Sequence, residues 1–267
     1  YEEFLLLVLG IAVRRQRMLS LERGQVLHVA SEVDQRIRAR FPFKLTAAQD
    51  ASVREIVSDL QSGRPMTRLL QGDVGSGKTV VALHACLAAI ANHRQAAIMA
   101  PTEILAQQHY ANICRYLSGS RVRHVLLRGG MGQKARHAAL NAIARGELDL
   151  VVGTQALIQK DVAFNALALV VVDEQHKFGV VQRATIRTKG PAPHFLVMTA
   201  TPIPRTLSMT VFGDLDVSVI RQPPPGRGKT TTKVVTASQW ATVMQYVRGR
   251  LEKGEQAPAR KEAPPEA

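Results

Sequence analysis

The sequence predicts an α/β domain in which a parallel sheet lies between helices, and three observations support this prediction. From about residue 42 onward, short apolar runs alternate with amphipathic helical segments, as in chains that form parallel sheets. The run at residues 169–172 is apolar without alternation, which is typical of a strand covered on both faces. A glycine-rich loop at residues 72–79 follows one candidate strand and opens a candidate helix. Together these observations indicate one complete domain at residues 42–220.

The segment before this domain, residues 1–41, is predicted to be helical. Apolar residues recur at helical spacing over residues 5–13 and again over residues 26–37. Neither piece carries residues suited to chemistry, so the segment is predicted to be a linker or a docking segment. The chain starts at Tyr1 rather than at a methionine, which predicts that it is a piece of a longer reading frame.

Within the domain, six apolar runs are predicted strands and three amphipathic stretches are predicted helices. The strands are expected at 68–70, 96–99, 122–127, 148–152, 167–172 and 195–197, and the helices at 79–92, 103–117 and 132–145. Residues 221–253 are predicted to form a proline-rich linker and the start of a second domain, including a strand at 234–235 and a helix at 240–251. The composition of residues 254–267 predicts a disordered tail.

The composition favours a polyanionic partner and excludes several classes of protein. Lys and Arg total 35 against 21 acidic residues, and the net charge of +14 favours nucleic acid, although a basic tail would explain the same surplus. Aromatic residues make up only 4%, so binding by many stacked bases is not the expected mode. Two cysteines exclude a disulfide scaffold and a four-cysteine zinc site. The apolar run at residues 4–13 is too short to span a bilayer, so no membrane partner is expected.

The glycine-rich loop fits the phosphate-binding pattern G-x-x-x-x-G-K-[ST]. Its glycines let the backbone turn tightly, so that successive N–H groups point at phosphate oxygens beside a helix N-terminus. Lys78 is expected to reach the β and γ phosphates, and the Thr79 hydroxyl is expected to bind Mg²⁺. A glycine turn without a ligand is the alternative. The predicted nucleotide-contacting residues of the loop are Gly72, Asp73, Val74, Gly75, Ser76, Gly77, Lys78 and Thr79.

A second candidate element, Asp173-Glu174-Gln175-His176, follows a predicted strand. Asp173 is the predicted metal ligand together with Thr79, because a carboxylate at a strand end is able to hold Mg²⁺. Glu174 is expected to polarise the attacking water as a general base. His176, as part of the catalytic set, and Gln175 are expected to sense the γ-phosphate and pass that state onward. A solvated turn is the alternative, but ligands in such sheets collect at the carboxyl edge, where both elements are expected.

Threonines stand directly after three of the predicted strands. The hydroxyls of Thr199 and Thr201 are suited to bind the carboxylates of the acidic element, and a plain exit from the strand is the alternative. Thr102 and Thr154 each begin a predicted helix, where capping of the helix N–H groups is the ordinary role. Helix N-termini also bind the backbone phosphates of nucleic acids, which is the second interpretation.

The order GDVGSGKT, APTE, GTQ, DEQH, TATP resembles the first motor domain of superfamily 2 helicases and translocases. Longer segments are similar to the RecG family of bacterial branched-DNA helicases, and the similarity extends over residues 1–250. They are FKLTAAQ at 43–49, RLLQGDVGSGKT at 68–79, DEQHKFGV at 173–180, TPIPRTL at 201–207 and GDLDVS at 213–218. The resemblance implies a RecA-like fold and an ATP-dependent, Mg²⁺-dependent enzyme. It further implies a monomer that remodels stalled forks and Holliday junctions in repair and recombination, in the bacterial cytoplasm at the nucleoid.

The resemblance also implies roles for individual residues. Phe43 and Gln49 correspond to an adenine-recognition element upstream of the phosphate loop. Thr199 and Thr201 correspond to the motif that couples ATP hydrolysis to DNA movement. The positions that correspond to contacts with the DNA backbone are Thr102, Thr154 and Gln155.

Two parts of the RecG family have no counterpart in this sequence. One is the N-terminal wedge domain that recognises the DNA branch, and the other is most of the second motor domain, which supplies an arginine finger. This polypeptide alone is therefore expected to hydrolyse ATP poorly, since such a finger contributes roughly a thousandfold or more in rate. Three alternatives remain: a transcription–repair coupling translocase, a truncated module that binds nucleotide or DNA without catalysis, and a small-metabolite kinase. The translocase family has other residues at the positions of Ser76 and Gln175.

Overall fold

The computed structural model describes residues 9–10, 24–174, 185–186, 188–200, 215–221, 236 and 239–252. The predictions made for Gln175, His176 and Thr201 fall outside the described residues, as do those for the strand at 234–235 and for the tail.

The described strands form one seven-stranded parallel sheet, in the order β3-β4-β2-β5-β6-β1-β7. The predicted α/β class with a parallel sheet is confirmed. The strands are β1 Thr67–Gly72, β2 Gln95–Met99, β3 His124–Leu127, β4 Leu150–Gly153, β5 Leu167–Asp173, β6 His194–Thr199 and β7 Asp216–Ile220.

Helices connect these strands and cover both faces of the sheet. They are α1 Ser31–Arg38, α2 Ala47–Gln61, α3 Lys78–Ala91, α4 Glu103–Tyr116 and α5 Gln133–Ala144, with a 3₁₀ turn at Gln155–Ile158. Every residue of β5 is buried, and from Leu169 to Val172 its side chains alternate between two apolar clusters. This double burial explains why the strand is apolar without alternation in sequence.

Helix α3 is the most deeply buried helix among the described residues. All residues from Val80 to Ala89 are buried, because α3 packs between the sheet and helices α1 and α2. Helix α1 is held there by polar contacts as well. Asp34 accepts from His84 Nε2 at 2.7 Å, and Arg38 bridges Asp34 at 2.5 Å and Asp50 at 2.7 Å. The helix that follows the phosphate loop is thus fixed by the segment that precedes the domain.

Strand order determines where a ligand can bind. β6 lies between β1 and β5, with Gln71 opposite Thr199 and Asp173 opposite Met198, so the carboxyl ends of these three strands lie side by side. The chain leaves β1 and enters β2 on the far side of β5 and β6. Such a crossover opens a crevice at the carboxyl ends of the strands, where ligands of doubly wound sheets bind.

The six predicted strands and the three helices predicted within the domain are present, with ends shifted by a few residues. Strand β7 and helix α2 were not predicted. The helix predicted at residues 26–37 is wrong in its first half, since only Ser31–Arg38 is helical. Residues 24–28 instead bond to distant partners, including Gly24 N to Gly63 O at 3.0 Å and Leu27 N to Leu60 O at 2.9 Å.

A separate unit, Gly226–Ala267, contains the described helix α6 at Trp240–Glu252, which agrees with the helix predicted at 240–251. Arg250 lies over the ring of Tyr246, 5.6 Å from its centre. None of the helices in the described ranges combines the length and the apolar character needed to cross a bilayer.

Candidate functional site

The glycine-rich loop joins the end of β1 to the start of α3. Gly75 and Gly77 have φ angles of 76° and 87°, in the left-handed region that favours glycine. An added Cβ at Gly77 would also lie 2.2 Å from Gln49 Nε2, so the Gln49 amide would have to move. The loop therefore requires glycine at position 77 for its backbone conformation and for the close approach of Gln49.

Lys78, near the end of the loop, is held by two carbonyl groups of the loop itself. Its Nζ donates to the carbonyls of Gly72 at 2.6 Å and Asp73 at 3.0 Å. Burial lowers the pKa of Lys78, and the charges of Asp173, Glu174 and Asp73 partly oppose that shift. The ammonium group is thus close enough to both acids for their charges to act on it.

The loop presents polar groups suited to an anion. The Oγ of Ser76 is buried and has no hydrogen-bond partner among the described residues. No side chain caps the first turn of α3, which begins directly after Gly77. An orphaned hydroxyl beside an uncapped helix N-terminus fits the oxygens of a phosphate group.

Asp173 ends β5, Glu174 follows it, and the two acids are held by different neighbours. The Oδ2 of Asp173 accepts from His109 Nε2 at 2.8 Å, and Asp173 is 8% exposed. Glu174 has a φ of 51°, its N donates to Met198 O at 2.9 Å, and its Oε1 accepts from Ala200 N at 3.1 Å. The segment after β6 therefore contacts the acidic element through the backbone N–H group of Ala200.

Gln49 connects helix α2 to the phosphate loop. Its Oε1 accepts from Thr46 N at 2.9 Å in a capping box, and its Nε2 donates to Ser76 O at 2.8 Å. The amide is thus already bonded to protein on both sides, in a residue that is 2% exposed. The side chain of Gln49 therefore joins the start of α2 to the loop.

Phe43, predicted to contact adenine, is 45% exposed and lies at the edge of an aromatic cluster. Its ring centre is 6.2 Å from those of Phe41 and Tyr116. A cavity of about 770 Å³ is lined by Phe43 together with Arg38 and Asp50. The cavity therefore borders both Phe43 and the start of helix α2.

The threonines predicted to contact DNA follow β2 and β4, on the other half of the same sheet edge. Thr102 caps α4, accepting from Leu105 N at 3.3 Å, as its ordinary role predicts. Thr154 makes no such capping bond, and only a short 3₁₀ turn beginning at Gln155 follows it. The phosphate loop and the acids lie at the ends of β1 and β5, on one half of the edge. Thr102, Thr154 and Gln155 lie after β2 and β4, on the other half.

Among the residues that the structure describes, no group of three or more His, Cys, Asp or Glu side chains is placed to hold a metal ion. Thr79 and Asp173 offer a hydroxyl and a carboxylate. Hard oxygen ligands, few in number and completed by phosphate, are the donor set that Mg²⁺ prefers.

Sequence reasoning missed His109. It lies on the buried face of α4 with Ala106 and Ile113, at positions spaced by three and four residues. A histidine on an otherwise apolar helical face is a signal of a polar partner, but the pattern alone does not identify the partner as Asp173.

Residues 46–210 match the DEAD/DEAH box helicase family. Curated relatives are named ATP-dependent DNA helicase RecG. The Synechocystis protein is 45% identical over 96% of this chain and 31% of its own length, and the Bacillus subtilis protein is 46% identical over 96% and 38%. The chain thus spans about a third of the length of these relatives, and the resemblance to RecG in sequence is confirmed.

Solved structures give the same result. A structure of RecG bound to a three-way DNA junction superposes with a TM-score of 0.84 at 38% identity, over 95% of this chain and 34% of that one. The helicase MrfA bound to DNA superposes with a TM-score of 0.60 at 18% identity, over 87% of this chain and 37% of that one. The second likeness concerns the fold alone.

Proposed function

Because this chain belongs to the DEAD/DEAH box helicase family, we propose that it carries the ATP-hydrolysing motor domain of a RecG-type DNA helicase. In the complete protein, ATP hydrolysis would drive the remodelling of branched DNA such as stalled forks and Holliday junctions, in repair and recombination. One observation carries the proposal: the phosphate loop after β1 and the acids Asp173 and Glu174 after β5 lie at one edge of the sheet, with only β6 between the two strands.

The phosphate loop, residues 72–79, would hold the triphosphate of ATP. Its N–H groups and the start of α3 would face the phosphate oxygens, and Lys78 would leave its carbonyl partners for the β and γ phosphates. The orphaned Oγ of Ser76 would gain a partner there. Two residues would contact the adenine: Phe43, from the segment before α2, and Gln49, from the first turn of α2.

Thr79 and Asp173 would hold Mg²⁺, which neutralises charge on the β and γ phosphates when bound. Glu174 would take the proton of the attacking water. Its contact with Ala200 N supports a role for the segment after β6 in coupling, to which Thr199 and Thr201 are assigned. Gln175 and His176 keep their predicted roles next to the γ-phosphate.

Thr102, Thr154 and Gln155 would contact the DNA backbone on the β2–β4 half of the sheet edge. The Thr154 hydroxyl makes no capping bond, whereas the Thr102 hydroxyl already accepts from the backbone of its own helix. The support for a ligand-binding role is therefore stronger for Thr154 than for Thr102. The net charge of +14 supports a polyanionic partner. We place the protein as a monomer in the bacterial cytoplasm at the nucleoid.

Residues 42–220 would be this first motor domain, preceded by a docking segment at 1–41 and followed at 221–253 by the start of the second motor domain. A second motor domain would supply an arginine finger, and in comparable sites that group contributes roughly 10³–10⁵ in rate. The isolated chain is therefore expected to bind ATP well and to turn it over slowly.

The test is ATP binding and turnover with and without forked DNA, with duplex DNA of equal length as the control. We expect Mg²⁺-dependent ATP binding and a slow turnover that forked DNA raises. Lys78→Ala removes the charge that faces the phosphates and is expected to abolish binding. A chain that hydrolyses no ATP even with DNA present would favour the truncated binding module. Phosphorylation of a small acceptor would refute the helicase assignment.

A further inference from the structure

His109 reaches across from helix α4 to the carboxylate at the end of β5. Its Nε2 lies 2.8 Å from Oδ2 of Asp173, and the two side chains are 11% and 12% exposed. A carboxylate only accepts hydrogen bonds, so the imidazole nitrogen donates. The contact joins residues that are 64 positions apart in the chain.

The position of His109 on α4 is otherwise suited to an apolar side chain. Ala106, one turn earlier, and Ile113, one turn later, are buried in the core beneath the helix. A polar residue buried at such a position has to be hydrogen-bonded to be tolerated. Here its partner is the carboxylate to which we assign the magnesium ion.

We propose that His109 is a positioning residue for Asp173. Donation to Oδ2 holds the carboxylate in one orientation and would leave Oδ1 for the metal or its bound water. The inference rests on the proposed function, since it requires that Asp173 takes part in binding Mg²⁺ with ATP. Loss of hydrogen-bond partners that orient metal ligands typically lowers metal affinity about 10–100-fold.

A purely structural role for His109 would give a different result, and the chain offers a matched control. His84 on α3 donates from Nε2 to Asp34 at 2.7 Å, and its side chain is 1% exposed. The two pairs therefore share donor and acceptor groups and nearly the same distance, although Asp34 is 29% exposed and Asp173 is 12% exposed. The His84 pair has no part in the proposed metal site. Removing either histidine would lower stability, whereas only the loss of His109 would change the response to Mg²⁺.

The experiment measures the Mg²⁺ concentration that half-saturates binding of AMPPNP, a non-hydrolysable ATP analogue, at a fixed concentration of the analogue. We expect His109→Leu to raise this concentration about 10–100-fold while leaving the affinity for AMPPNP in EDTA unchanged. His109→Gln keeps an N–H donor at the end of the side chain and is expected to restore most of the response. His84→Leu is expected to lower the thermal midpoint and to leave the Mg²⁺ response as in the parent chain.

Thermal unfolding of each variant identifies any that fails to fold. If His109→Leu is unfolded, His109→Asn replaces it, because the shorter amide does not reach Oδ2 of Asp173. A half-saturating Mg²⁺ concentration equal to that of the parent in these variants overturns the positioning role and leaves the proposed function standing. A parent chain whose AMPPNP binding does not depend on Mg²⁺ overturns the proposed metal site, and the positioning role with it.

Discussion

Replacement of Gly77 by alanine tests the contact between helix α2 and the phosphate loop. At a φ of 87°, a Cβ costs about 1–2 kcal/mol in backbone strain. The new Cβ would also lie 2.2 Å from Gln49 Nε2, so the amide has to move and lose its bond to Ser76 O. A buried amide that loses its partner costs a further 1–3 kcal/mol or so.

Gly119→Ala is the matched control for the backbone strain. Gly119 has a φ of 69°, and an added Cβ there meets nothing within 4 Å. The difference between the two variants therefore isolates the contact with Gln49, and we expect Gly77→Ala to be less stable than Gly119→Ala by about 1–3 kcal/mol. Urea unfolding of both variants and of the parent measures that difference. Equal destabilisation by the two substitutions would refute the close approach of Gln49 to the loop.

Three further predictions concern hydrolysis, DNA binding and pH. Glu174→Gln is expected to keep AMPPNP affinity and to lose hydrolysis, because the amide cannot take a proton from water; turnover equal to the parent's would remove Glu174 from the role of base. DNA affinity is expected to fall as salt rises, since phosphate contacts release counterions, and a salt-independent affinity in filter binding would contradict a phosphate-contacting surface. Burial lowers the pKa of His194, so its contribution to stability is present above pH 6.5 and is lost as the pH falls toward the lower folded-state pKa. Urea unfolding at pH 7.5 and 5.5 or thereabouts should show this loss, and His194→Gln should reduce it.

The pH prediction depends on a geometry that specifies one form of the ring. His194 Nε2 donates to Gln25 O at 2.6 Å, and its Nδ1 accepts from Met66 N at 3.0 Å. A proton on Nδ1 would remove the second bond from a ring that is fully buried. If the pH dependence is unaltered in His194→Gln, other groups, such as His84, cause the loss of stability at low pH.

Local sequence patterns determined the core of the fold and the two elements of the proposed nucleotide site. Strands such as β5 are apolar throughout because both faces are covered, and the glycines of the loop are needed by the local backbone. These features depend on neighbouring residues alone, so composition and spacing are sufficient to predict them. The placement of the phosphate loop and Asp173 at one edge of the sheet was predictable as well, since carboxyl ends of parallel strands meet at one edge.

Only the tertiary structure decided which groups from distant parts of the chain bond to the acids at that edge. The partners of Asp173 and Glu174, namely His109 and Ala200 N, come from α4 and from the end of β6. Residues 24–28 are not helical although their apolar spacing predicts a helix, because Gly24 N and Leu27 N bond to the distant carbonyls of Gly63 and Leu60. Such contacts join positions far apart in the chain, and the order of strands in space, which no local pattern encodes, is what brings them together.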